Sequence, residues 1–64
     1  MYYLVVVMVS IWGIRMHPYI FTVYASSPKQ AYDLALSDLT DPNTEIERVR
    51  VFSTSLSKPV EEVV

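Results

Sequence analysis

Cysteine is absent from the 64 residues. Disulfides, thiolate metal sites and a cysteine nucleophile are thereby excluded. His17 is the single histidine, so a His-rich metal centre and Ser–His or Cys–His machinery lack their parts. Gly13 is the single glycine, which leaves no Gly-rich loop to cradle a phosphate. Charge is also sparse. Five Lys and Arg face seven Asp and Glu, for a net charge of −2. Residues 1–32 carry Arg15 and Lys29 and no carboxylate, a balance of +2. Residues 33–64 set Arg48, Arg50 and Lys58 against seven carboxylates, a balance of −4. Nucleic-acid binding rests on cations displacing counterions, and this inventory disfavours RNA or DNA as a general partner.

What the chain has in quantity is apolar surface, at 52% hydrophobic residues. That excludes a disordered chain or a flexible linker, and the length allows one domain. The run from Met1 to Ile14 is apolar except for Ser10 and Gly13. It is shorter than the roughly 20 residues of a membrane span, and no cationic segment precedes it as in a signal peptide. Val5, Val6, Val7, Val9 and Ile11 are β-branched, so residues 2–12 are expected to form a buried strand. The expectation is a cytoplasmic protein with no membrane partner.

Residues 18–25 read as a second strand, joined to the first through Gly13–His17 as a hairpin. Ser27, Pro28 and Gln30 mark a helix start, with Ser27 as N-cap in a Ser-x-x-Gln box. The helix is expected to run to Leu39 or Thr40, burying Ala31, Leu34, Ala35 and Leu39, until Asp41-Pro42-Asn43 stops it. Residues 45–53 alternate as a third strand. The fold class is thus α+β: a ββαβ unit over residues 1–53. Its three-stranded antiparallel or mixed sheet has order 2-1-3, with one helix on one face. Residues 54–64 form a polar C-terminal segment, either a short fourth edge strand or a frayed tail.

This architecture leaves a mismatch. The face under the helix would hold Val5, Val7, Val9, Ile11, Phe21, Val23, Ala25, Val49 and Val51. The opposite face would hold Tyr2, Leu4, Val6, Met8, Trp12, Ile20, Thr22, Tyr24, Ile46, Arg48, Arg50 and Phe52. A half-solvated sheet should alternate apolar and polar residues, and the first strand does not. Leaving some eight large apolar groups in water would forgo about 10 kcal/mol. Soluble monomers seldom expose so large an apolar patch. A second copy, another protein or the tail (Leu56, Val60, Val63, Val64) must therefore cover it. A homodimer is the expected form, with Tyr2, Leu4, Val6, Met8, Trp12, Tyr24 and Phe52 in contact and Arg48 and Arg50 at the margin.

No catalytic residue, metal ligand or cofactor site is expected. His17 has no carboxylate companion nearby in sequence. Asp33 and Asp38 do not share a helical face well, and Glu45 and Glu47 read as edge solubilisers. Tyr2, Trp12, Tyr24 and Phe52 with Arg48 and Arg50 also admit base stacking, which the acidic balance disfavours.

Gly13, Phe21, Val23, Ala25, Gln30, Ala31, Leu39, Arg48, Val49 and Val51 fall where a strand–turn–strand–helix–strand family has its turn and packing positions. Over residues 13–52 the chain resembles archaeal ribosomal protein LX. That resemblance implies a ribosome-associated RNA-binding protein whose loop after the helix meets RNA. Here that loop, Thr40–Glu45, has no cation. The pattern is also similar to small phage and mobile-element ββαβ proteins of unknown mechanism, and a third expectation is a phage-type inhibitor that adds its edge strand to a host protein's sheet.

Overall fold

The computed structural model describes residues 1–39, 41–54 and 59–64. Its elements are β1 (Tyr2–Ile11), β2 (Ile14–Arg15), β3 (Tyr19–Tyr24), α1 (Pro28–Ser37), β4 (Thr44–Ser53) and β5 (Val60–Glu62). The class is α+β, with one helix and one antiparallel sheet. β1 lies in the middle, with β2 and β3 on one side, β4 on the other and β5 beyond β4.

The sheet has five strands, where three with a possible fourth are expected from sequence. The first addition is β2, inside the stretch expected to be a loop. Trp12-Gly13 alone turns the chain, so Ile14 pairs with Ile11 and Arg15 with Ser10. Both turn residues have positive φ, 56° and 77°, as the tight hairpin turn that matches strand twist requires. The second addition is β5, whose Val60, Glu61 and Glu62 pair with Ser53, Phe52 and Val51. The C-terminal segment thus supplies an edge strand. The covering role expected of Leu56 lies outside the described residues, as does Thr40.

Two register shifts flank Met8. On one side Ser10 pairs with Arg15 but Val7 with Tyr19, so His17-Pro18 holds one residue too many. On the other side Met8 pairs with Arg48 but Val9 with Ile46, so Glu47 is extra. Such bulges bend a sheet and increase its twist. The second one also corrects the expected face of Ile46, which now sits opposite a residue of the covered face.

The core lies between α1 and the near face of the sheet. Tyr3, Val5, Val7, Val9, Ala25, Ala31, Ala35 and Val51 are buried, with Phe21, Val23, Tyr32, Leu36, Leu39 and Val49 packed around them. The alternation of β1 explains this set: residues 3, 5, 7 and 9 share one side of the pleat. Ser27 caps α1, its Oγ accepting from the Gln30 N–H at 3.1 Å. The reciprocal bond reaches one residue further back than expected, the Gln30 Oε1 accepting from the Ser26 N–H. The helix ends at Ser37 rather than Leu39. The Ser37 Oγ donates to the Leu34 carbonyl at 2.7 Å, a local bond of the kind that competes with helix propagation.

The buried helical stripe is narrower than the sequence period predicts. Ala31 and Ala35 meet the sheet, whereas Leu34 is 43% exposed. Small residues let the helix approach closely, and the larger Tyr32 and Leu36 fill its flanks. Ala35→Leu is therefore expected to destabilise by about 1–3 kcal/mol through overpacking. Leu34→Ala is expected to cost well under that. Urea denaturation midpoints of the two variants check the contrast.

Candidate functional site

The far face of the sheet is built by the same pleat that builds the core. Tyr2, Leu4, Val6 and Met8 alternate with the buried residues of β1. Cross-strand pairing gives them neighbours on both sides. Tyr2 lies opposite Tyr24, Leu4 between Thr22 and Phe52, and Val6 between Ile20 and Arg50. Met8 lies opposite Arg48. The result is a band of apolar side chains across three strands, with its cations on β4.

Named contacts order this band. The Tyr2 and Tyr24 rings pack edge to face at 5.0 Å between centroids. The Arg50 guanidinium lies 5.1 Å from the Phe52 ring centroid, a cation–π distance. Arg50 Nη2 and Nε donate to the Glu61 Oε1 at 2.8 and 3.0 Å, pinning β5 to β4 from this side. Arg15 meets Glu47 at 3.5 Å near the bulge. The hydrogen bond from Arg50, with its charge, lowers the Glu61 pKa and raises that of Arg50.

Eight of the nine expected contact residues therefore share one face: Tyr2, Leu4, Val6, Met8, Tyr24, Arg48, Arg50 and Phe52. The exception is Trp12. It leaves β1 for the hairpin turn, about 30 Å along the strand from Tyr2 at 3.3 Å per residue. It is 77% exposed, beside the exposed Ile14 and Met16. Glu61 is the contributor that sequence reasoning missed. Only the pairing of β5 with β4 brings it to Arg50, and no periodic pattern in residues 59–64 announces that register.

The described tail does not cover the band. Val60 to Glu62 extend the sheet sideways, and Val60, Val63 and Val64 are themselves exposed, Val63 fully. Coverage by these three residues, one of the expectations from sequence, is thereby corrected. No helix among the described residues is long and apolar enough to cross a membrane, and no cluster of potential metal ligands occurs among them. The chain matches no protein family, no curated protein and no solved structure, and nothing there bears on the resemblance to ribosomal protein LX.

Two outcomes follow from this geometry. A tryptophan with φ of 56° holds a backbone conformation that costs L-residues about 1–2 kcal/mol, and Asn-Gly is the favoured pair at such a turn. Trp12→Asn is expected to raise stability by about 1 kcal/mol in chemical denaturation; a loss of stability would show that the indole is held by packing. The second outcome concerns acid. The folded pKa of Glu61 lies below its unfolded value, so its pairing stabilises β5 above the ordinary carboxylate range. That stabilisation is lost as pH falls through the folded value. The protection factors of the Val60–Glu62 amides, taken relative to the intrinsic exchange rate at each pH, are expected to fall on acidification before those of β1 do. Simultaneous opening of both strands would contradict this.

Proposed function

We propose that this chain is a non-catalytic protein–protein interaction module that works through its open sheet face, with a second copy as the partner. The observation that carries the reading is the apolar band. Leu4, Val6, Met8 and Phe52 lie at its middle, and Tyr2, Ile20 and Tyr24 are exposed at its side. Among the described residues one helix is available to the sheet, and it lies on the other face. Burial of Leu- or Phe-sized groups is worth about 1.5–3 kcal/mol each, so an occupant of this band gains substantial free energy. A 64-residue domain gains from any surface that completes its burial.

A second copy suits the band because a two-fold axis lets a surface pack on itself, apolar middle on apolar middle. Sheets packed face to face lie about 10 Å apart, a spacing that side chains of this size fill. Arg48 and Arg50 sit at the β4 margin, where charges stay near water. The ribosome-associated reading would use the same two arginines for phosphate. Arg50 is already engaged by Glu61 and stacked on Phe52, which favours the protein-contact reading. A phage-type inhibitor remains the proposal to turn to if a different protein takes the place of the second copy.

Sedimentation equilibrium at high micromolar concentration tests the reading. Leu4 lies between Thr22 and Phe52, away from any like charge directly across. Leu4→Lys should therefore halve the sedimenting mass while the circular dichroism spectrum stays that of the parent. A parent that sediments at 7.4 kDa, or a variant whose mass equals the parent's, would overturn it.

A further inference from the structure

The two edges of the sheet are finished in opposite ways. On one side β5 is three residues long and carries Glu61 and Glu62. Short length and charge are the usual devices that keep an edge from pairing with another chain. On the other side β3 is six residues, Tyr19-Ile20-Phe21-Thr22-Val23-Tyr24, without a charge, a proline or a glycine. Uncharged runs of this length and β-propensity are the ones that pair with copies of themselves. Among the described residues nothing pairs with the outer side of β3.

The hydrogen-bond phase of β3 says which backbone groups that outer side presents. The Ala25 N–H donates to the Met1 carbonyl at 3.0 Å, one step beyond the Tyr2–Tyr24 pair. In an antiparallel ladder, hydrogen-bonded and non-hydrogen-bonded pairs alternate. Tyr19, Phe21 and Val23 thus direct their N–H and C=O groups to β1. Ile20, Thr22 and Tyr24 direct theirs outward. The next residue of that phase towards the N-terminus, Pro18, has no N–H to offer.

We infer that β3 is a self-pairing edge: two copies join antiparallel about a two-fold axis through Thr22, merging their sheets into one. This register follows from the phase. With Thr22 opposite Thr22 of the second copy, Ile20 lies opposite Tyr24, and each outward N–H and C=O meets its complement. A register centred on Phe21 would instead set Tyr24 against Pro18, which has no donor. The side chains agree with the Thr22 register. On the open face it aligns Thr with Thr and Ile20 with Tyr24, and on the covered face Phe21 with Val23. Thr–Thr and aromatic–β-branched pairs are the cross-strand combinations that stabilise sheets, and no like charges meet.

This contact is separate from the face contact proposed above and leaves that face uncovered. Where both operate, four chains assemble, two edge-joined sheets packing face to face. The edge is tested without touching any side chain. A chain of 64 residues can be made by chemical synthesis with an N-methyl group on Thr22, which removes one outward donor and blocks the approach of a second strand. Sedimentation at high micromolar concentration should show its mass at half the parent's. In the parent, exchange of the Ile20, Thr22 and Tyr24 amides should slow as concentration rises. Leu4→Lys separates the two contacts: it halves the mass through the face and leaves the protection of those three amides intact. If Leu4→Lys changes nothing while the N-methylated chain still halves, the face reading fails and the edge stands. An N-methylated chain with the parent's mass overturns the edge contact. So do outward amides that exchange freely at every concentration, a measurement that holds even if the modified chain fails to fold.

Discussion

One helix cannot cover a strand that is apolar on both sides. β1 has Tyr3, Val5, Val7 and Val9 pressed against α1 and Tyr2, Leu4, Val6 and Met8 turned the other way. The core exists because the odd-numbered side chains find Ala31, Ala35 and their neighbours. The open band exists because the even-numbered ones find no second layer among the described residues. Domains are ordinarily built from two or three packed layers, and the described residues supply two of them, the sheet and α1. The strands that flank β1 obey the same rule less strongly, with Thr22, Arg48 and Arg50 diluting the band toward its sides.

The elements that follow from short-range chemistry were legible in the sequence. The β-branched run in residues 2–12 and the alternation in residues 45–53 placed the long strands. Ser27, Pro28 and Gln30 placed the helix start, and the parity of β1, β3 and β4 placed eight of the nine expected contact residues on one face. What was hidden depends on pairing. The turn at Trp12-Gly13 uses a tryptophan where positive φ ordinarily selects Asn, Asp or Gly, so the hairpin looked longer than it is. The extra residue at Glu47 moves Ile46 to the other face, and no residue type announces that bulge. Leu34 fits the helical period but faces outward, because two alanines bring the helix so near the sheet that only a narrow stripe is buried. The Arg50–Glu61 pair needs β5 in register, eleven residues later in the chain.

The molecule is long for its size, 37 Å by 19 Å by 16 Å, and its features are distributed along that length. The apolar band and the uncharged β3 edge occupy one end. The paired bulges at Met8 divide them from the hairpin tip, where Trp12, Ile14 and Met16 are exposed. Charge is concentrated on β4, β5 and the helix, and two of its cations, Arg48 and Arg50, lie on the β4 side of the band itself.

The openness of that side can be measured on the methyl groups themselves. A soluble paramagnetic agent broadens the NMR signals of methyls that water reaches. In a sample diluted until only the 7.4 kDa species remains, the Leu4, Val6 and Met8 methyls should broaden strongly, while Val5, Val7 and Val9 stay sharp. Raising the concentration should protect the first group. Methyls of Leu4, Val6 and Met8 that stay as sharp as those of Val5 and Val7 in the isolated chain would show that the chain covers its own second face, and the case for a partner would end there.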